Sequence, residues 1–360
     1  MPNEELRYSL NAVKRAGKRL RDWDEYELKT LVDVLPIVEN WRDCHSFPMT
    51  QFYDSLRECG AGYGSAINVV QRPKRLESII GKLKANPAMA LTTMQDIAGC
   101  RAILPTNELI LPFVDSFRRM WDVHELYDTD DYIAKPKANG YRSLHLIYRF
   151  HSDNPSFDGR FVEIQFRSRF QHAWATALET VDLFEGEQLK AGKGDSEWHR
   201  FFALMGSVVA AIENAVRVPG TPVDESDQEL RRELRHYAEV LEVERRMRAY
   251  GSLTFSTDIS PVGSMARRGV SSVYGRAAYS GATNPAYFLL ELYPHPTAVR
   301  VRGYERRDIA QASRDLVAAE RERHHVVLVA ASDLAALKEA YPNWIIDTRY
   351  FLSLLQFALR

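Results

Sequence analysis

The sharpest pattern in the chain is the alternation in RFVEIQFRSR. A strand would set Phe161, Glu163, Gln165 and Arg167 on one face and Val162, Ile164 and Phe166 on the other, because successive strand residues point to opposite sides. One face suits a core and the other carries groups able to do chemistry. Strands are also expected at 67–72, 100–104 and 141–150. If Tyr141 begins the last of these, Ser143 and His145 share a face while Leu144 and Leu146 pack behind. Helical spacing predicts helices over 4–21, 25–46, where Leu28, Leu31, Val32, Leu35 and Val38 recur on one side, and 49–59. The stretch RPKRLESIIGKLKANP gives an apolar stripe of Leu76, Ile79, Ile80 and Leu83 and a polar one of Lys74, Ser78 and Lys82. Further helices are expected near 108–120, 171–183, 198–216 and 225–250. Interleaved strands and helices of this kind predict an α+β fold with a mixed sheet flanked by helices.

Residues 252–285 break the pattern, being rich in Ser, Gly, Ala and Arg with little periodicity, and read as a linker. Beyond them, AYFLLELY and TAVRVRGY form a predicted hairpin, 307–323 a helix, HVVLVAA a strand and the last residues two short helices. The expected organisation is a first domain at 1–224, a helix and linker at 225–285, and a small α+β domain at 286–360.

A net charge of −1 over 360 residues excludes a globally basic nucleic-acid coat, so any anion binding must be local. Lys14, Arg15, Lys18 and Arg19 concentrate basic charge on the first helix. They suit either a phosphate backbone or a plain solvated face, and both readings stand. Cys44, Cys59 and Cys100 have neither zinc nor disulfide spacing. With no signal core and no run of ~18 apolar residues, the expectation is a cytoplasmic protein with no membrane partner.

The candidate chemistry gathers at the strands. Glu163 and Asp96, the lysines before and on the 76–83 stripe, and Tyr141 in AKPKANGYRSLHLIYRF supply two carboxylates, fixed cations and an aromatic. Phosphoryl-type transfer uses such a set: carboxylates for Mg²⁺ and for the attacking hydroxyl, cations for the polyphosphate. No P-loop or protein-kinase signature is present. Taken singly, Glu163 would be an ordinary paired carboxylate, Tyr141 a half-buried structural ring and the lysine stripe a solvated face. His172 and Trp174 read as core residues.

RPKRLESIIGKL, MQDIAGCRAIL, KPKANGYRSLH and VEIQFRSRFQHAWATALE, in that order, closely resemble the synthetase domain of the RelA/SpoT family. The resemblance implies a nucleotidyltransferase-like core that transfers the β,γ-pyrophosphate of ATP to a 3′-hydroxyl. It implies that Arg72, Lys74, Ser78 and Lys82 contact the ATP phosphates and that Arg72 and Arg101 clasp adenine. Asp96 would hold Mg²⁺, and Glu163 would complete the metal site or activate the hydroxyl. Tyr141 would stack on the acceptor base, with Lys137, Asn139, His145, Gln165 and Arg167 around it. No His-Asp pair of the kind that marks the family's hydrolase domain is present.

VDLFEGEQLKAGKGDSEWHRFF resembles the toxic branch of the small synthetases, whose acceptor is the 3′-terminal adenosine of the tRNA CCA end. The tail resembles the fused antitoxin domain of phage-responsive toxin–antitoxin synthetases, a zinc-finger-like fold without zinc. That likeness implies autoinhibition released by a phage protein such as a capsid protein. In such fusions a Y-x-x-Y pair occludes the ATP site; here the second ring of Tyr341-Pro-Asn-Trp344 is Trp. A synthetase of free alarmones such as ppGpp or ppApp, and a catalytically silent RNA-binding regulator, are the competing classes; intact Asp96 and Glu163 weigh against the latter. The sequence does not fix the oligomeric state, and a monomer is compatible with each class.

Overall fold

The strand AGCRAIL (β2, Ala98–Leu104) is buried along its whole length, which fits a near-continuous apolar run at the centre of a sheet. The computed structural model describes residues 5–23, 28–63, 67–74, 76–185, 189, 192–223, 227–248, 277–281, 287–294, 297–305, 308, 311, 315, 325–330 and 348–360. In chain order the first part contains α1 (Leu10–Arg21), α2 (Leu28–Asp43), α3 (Ser46–Ala61), β1 (Asn68–Gln71), α4 (Leu76–Ala85), β2, α5 (Ile110–Met120), β3 (Glu125–Asp131), β4 (Leu144–Arg149), β5 (Phe161–Ser168), α6 (Arg169–Glu185), α7 (Ser196–Ile212) and α8 (Gln228–Val240). The five strands form one mixed sheet of order β1-β2-β5-β4-β3. Only β2 and β5 pair in parallel, with Gly99 opposite Glu163 and Arg101 opposite Gln165. The α+β expectation is met.

The alternation of β5 works as its sequence requires. Val162, Ile164 and Phe166 enter a core with Phe52 of α3 and Phe113 and Phe117 of α5, while Glu163, Gln165 and Arg167 are joined to one another on the opposite face. One expectation is corrected and one strand is added. The strand expected from Tyr141 starts at Leu144, since Tyr141 N is bonded to the Asn139 side chain in a turn instead of to a ladder. The acidic stretch ELYDTDD forms the edge strand β3; its aspartates hide the strand signal, although charge is what an exposed sheet edge requires.

That turn is fixed by a close approach. Gly140 has φ +96°, and a Cβ there would lie 2.7 Å from the Phe202 carbonyl oxygen of α7. Gly206, one turn along α7, faces Gly140 with equally little space. Trp174 of α6 donates its indole N–H to that same Phe202 carbonyl at 2.9 Å, so α6, α7 and the turn lock together and set where Tyr141 begins.

The tail contains β6 (Ala277–Gly281), β7 (Tyr287–Pro294), β8 (Thr297–Tyr304), β9 (His325–Ala330) and α9 (Arg349–Leu359). Its sheet has the order β6-β8-β7-β9, with the expected hairpin pairing Tyr287 with Tyr304. β6 lies inside the segment read as linker; AAYSG is too short and small-residued to show a period. Leu289 and Tyr304 enter the apolar cluster of α1, α2 and α4. The terminal helix, grouped by sequence with the tail, packs instead in one core with α6, α7 and α8 through Phe351, Leu354 and Leu355. Thr348 anchors its start by donating to the Met247 carbonyl at 2.8 Å. Tyr341, Trp344 and most of the helix expected at 307–323 lie outside the described residues.

Two glycines give opposite expectations. Gly140→Ala must push against backbone at positive φ and should lower stability by about 2–4 kcal/mol. Gly81, inside α4 with nothing near its missing Cβ, should gain about 0.5–1 kcal/mol on Gly81→Ala. Urea unfolding of both variants checks this; equal effects would contradict the close approach.

Candidate active site

Asp96 lies just before β2, and both its carboxylate oxygens are engaged: Lys74 donates to Oδ2 at 2.7 Å and Lys82 to Oδ1 at 2.9 Å. The two lysines of the stripe are therefore paired and not merely solvated. Lys74 stands before α4 and is buried, Lys82 comes from the last turn of α4, and Ser78 is exposed on the same helix. Burial opposes the Asp96 charge, yet the two ammonium groups outweigh it and hold the carboxyl below its usual range. Lys74 is pushed down by burial, with Asp96 acting in the other direction.

Glu163 sits at the other carboxylate position, on β5. His145 Nδ1 is 3.0 Å from Oε1, and the Gln165 amide donates to Oε2 at 2.7 Å. Gln165 Oε1 in turn accepts from Arg101 at 3.0 and 3.2 Å and from Arg167 at 3.2 Å. Arg167 donates to Tyr141 Oη at 2.6 Å, and that hydroxyl is 2.9 Å from His145 Nε2. Glu163, His145, Tyr141, Arg167 and Gln165 thus close a ring. Burial would raise the Glu163 carboxyl, but His145, Arg72 and Gln165 hold it far below the usual range. His145 is raised despite its burial, because Tyr141 and Glu163 favour the imidazolium.

The cations outnumber the carboxylates. Arg101 is 3% exposed and its hydrogen-bonded partner is the neutral Gln165 amide. Burial, followed by the charges of Arg167 and Arg72, lowers it to about 9, with Glu179 partly opposing. Arg72 is raised overall: burial lowers it, and the charges of Glu163, Glu179 and Asp96 outweigh that. His172, read as a core residue, is half-buried beside the same guanidiniums and held down to about 3, first by desolvation and then by Arg101 and Arg167.

The predicted acceptor residues meet around Tyr141. Its ring has Arg167 at 5.0 Å and Lys137 at 5.3 Å from the centroid, and Trp174 edge-on at 6.4 Å. Asn139 spends its side-chain oxygen on Tyr141 N, 3.0 Å away, so it builds the turn. One participant went unnoticed in the sequence: Tyr132, whose ring is 5.8 Å from Tyr141 and 5.3 Å from His145. Its only sequence signal was an aromatic at the end of the concealed strand β3. Lys14, Arg15, Lys18 and Arg19 are all exposed on α1, opposite Val13, Ala16, Gly17 and Leu20, which are buried. Arg19 pairs with Asp33 at 3.0 Å.

The profile of a region found in RelA / SpoT proteins matches residues 71–181, the span that carries Arg72 through Trp174. Over 221 residues the chain is 31% identical to the uncharacterized protein Rv1366 of Mycobacterium tuberculosis, covering 57% of this chain and 73% of that one. The chain belongs to the RelA/SpoT family. Other members are similar over the core alone. YjbM, a GTP pyrophosphokinase of Bacillus subtilis, is 34% identical over 123 residues, which is 32% of this chain and 55% of YjbM. A probable chloroplastic GTP diphosphokinase of rice, RSH3, is 34% identical over 126 residues, 33% of this chain and 15% of that protein. This RelA/SpoT protein therefore spans about half or less of the length of those two relatives.

The donor set suits a hard cation such as Mg²⁺, which takes one or two carboxylates and completes its shell with water and substrate phosphate. Asp96 and Glu163 offer that number of carboxylates. Among the described residues there is no group of three or more His, Cys, Asp or Glu that could hold a metal by themselves.

Tyr141 gives the site a titration. Burial opposes its phenolate, but Arg167, His145 and Arg101 outweigh it and bring the hydroxyl down to about 7. The folded value is below the unfolded value near 10, so this group adds stability that is complete above pH ~10 and is lost as pH falls through ~7. Ultraviolet titration should show one tyrosinate absorbance rising near pH 7 and missing from Tyr141→Phe. A spectrum without tyrosinate below pH 9 would contradict the ring's charge arrangement.

Proposed function

We propose that this chain is an ATP-dependent pyrophosphokinase that moves the β,γ-pyrophosphate of ATP to the 3′-hydroxyl of the 3′-terminal adenosine of tRNA. The observation that carries the transferase reading is the buried cation excess around Arg101, whose bonded partner is a neutral amide. A buried charge that is only partly compensated is costly, and a polyphosphate threaded past Arg72, Arg101, Lys74 and Lys82 relieves it. The names of the relatives, GTP pyrophosphokinase among them, agree with that class of reaction.

In this reading the 3′-oxygen attacks the β-phosphorus. The new O–P bond forms as the bond from that phosphorus to the α,β-bridging oxygen breaks, AMP departs, and the hydroxyl proton passes by way of Glu163 to water. The low pKa of Glu163 makes it a weak base. That is tolerable because a loose phosphoryl-transfer transition state asks mainly for positioning and charge stabilisation. Glu163 orients the hydroxyl, held in place itself by His145 and Gln165, while Tyr141 supplies a face for the acceptor base. Mg²⁺, held by Asp96 and Glu163, would neutralise charge on the transferred phosphates.

The tRNA acceptor is supported by the exposed basic face of α1, which packs beside α4. The second reading, transfer to free GDP or GTP, is favoured by what the relatives are called. Incubation with γ-labelled ATP and either tRNA or GDP separates them: label is expected in tRNA, and labelling of GDP alone would overturn the acceptor assignment. In the same assay Glu163→Gln should lower transfer ~10²–10⁴-fold, and near-normal transfer would sink the mechanism. Reversing charge at Lys14, Arg15, Lys18 and Arg19 should weaken tRNA labelling and flatten its salt dependence.

Control by the tail completes the reading: Tyr341 and Trp344 compete with adenine, and a phage protein releases them. Its support is the resemblance of the tail together with the packing of Leu289 and Tyr304 in the apolar cluster of α4. Cells making the Tyr341→Ala, Trp344→Ala double variant should stop growing, and adding Glu163→Gln should restore growth. Normal growth with full-length double variant present would count against occlusion.

A further inference from the structure

Tyr132 is placed with unusual care for a loop residue. Its backbone N–H donates to the Ser143 carbonyl at 3.0 Å, extending the β3–β4 pairing by one step. Asp131, just before it, accepts from the backbone of both Ile133 and Ala134 at 2.9 Å, so the chain leaving the ring is fixed as well. Burial, with Asp130 adding to it, pushes the phenol up to about 12, which leaves the ring neutral.

What the ring holds is the ammonium of Lys137. Nζ lies 4.2 Å from the Tyr132 centroid and 5.3 Å from that of Tyr141, with the two rings steeply inclined at 67°. Lys137 is exposed and sits in the turn that Gly140 closes, the Gly140 N–H donating to the Lys137 carbonyl at 2.8 Å. A base can stack on Tyr141 only if this ammonium moves aside, and Tyr132 offers it the nearer aromatic face. An ammonium held there stands at the rim of the base pocket, where the phosphate of an entering nucleotide is attracted to it.

We propose that Tyr132 is a positioning residue for the acceptor: its ring, the nearer of the two to Lys137, keeps the ammonium when a purine nucleotide stacks on Tyr141, so that the 5′-phosphate rests on Lys137. This deepens the transferase reading and depends on it for the meaning of the pocket. The ligand class is a nucleotide with a phosphate on the 5′ side of its base, a feature shared by GDP and by the last residue of tRNA. Tyr132 touches no reacting atom in this scheme and acts through Lys137.

Binding without turnover tests it. Equilibrium dialysis would compare AMP with adenosine and GMP with guanosine on wild type, Tyr132→Leu, Tyr132→Phe and Lys137→Met, all as the full chain. Tyr132→Leu should weaken the nucleotide that wild type prefers by roughly 3- to 20-fold, the range of one cation–π contact, and change its nucleoside less than twofold. Tyr132→Phe, which keeps the ring, should bind as wild type does, and Lys137→Met should reproduce Tyr132→Leu. In the labelling assay Tyr132→Leu should raise the acceptor KM by the same factor, with kcat and the KM for ATP unchanged.

Equal losses for nucleotide and nucleoside, a Tyr132→Phe variant as weak as Tyr132→Leu, or no loss at all would each overturn the proposal. A wild type that binds with the expected phosphate preference but transfers no label would defeat the transferase reading, while the binding ratios would still decide the role of Tyr132.

Discussion

Five side chains bonded in a ring, Glu163, His145, Tyr141, Arg167 and Gln165, set the terms for the rest of this molecule. Each would be expensive to bury alone, because a buried charge or polar group without a partner loses its hydration and gains nothing in return. Together they neutralise and orient one another. The ring also spans three pieces of chain: β5 carries three members, β4 carries His145, and the turn before β4 carries Tyr141. Closing it requires β4 and β5 in their observed register, with His145 opposite Gln165, and the turn pressed against α7.

Gln165 is the pivot of that arrangement. Its oxygen receives two guanidinium groups and its amide fixes one oxygen of Glu163. A neutral side chain is therefore what keeps three charged ones at fixed separations. It also leaves positive charge around Arg101 incompletely compensated, and that residue of charge is the feature an anionic substrate can exploit. Stability and function diverge at this point: Arg167 Nε and His172 Nδ1, beside the same guanidinium, are also buried without a hydrogen-bond partner, so the fold carries the mismatch as a local cost.

Three apolar cores brace the elements that carry the site. On one side of the sheet, α3 and α5 fill the space with Phe52, Phe113 and Phe117. α6, α7, α8 and α9 share a second core, and α1, α2 and α4 a third, in which Leu289 and Tyr304 of the tail take part. The helix that supplies Lys82 therefore rests on tail residues through its apolar face.

Much of this was legible in the chain. The alternation of 161–167 separates core from chemistry in β5 because strand geometry allows only that reading, and the spacing of Leu76, Ile79 and Leu83 assigns the buried face of α4. Motif likeness pointed to Asp96, Glu163, Arg101 and Tyr141 together. Three things needed the fold. β3 escaped notice because an edge strand is stabilised by its neighbour and protected by charge, so ELYDTDD has no apolar alternation to detect. Tyr132 joins Tyr141 and Lys137 only through the pairing of β3 with β4. Motif likeness assigned the lysines to phosphate, but that Asp96, from a different segment, accepts from both needed the fold. Local sequence determines which face of an element is apolar, since that is a property of neighbours along the chain; which charges meet is decided by register and packing between distant segments.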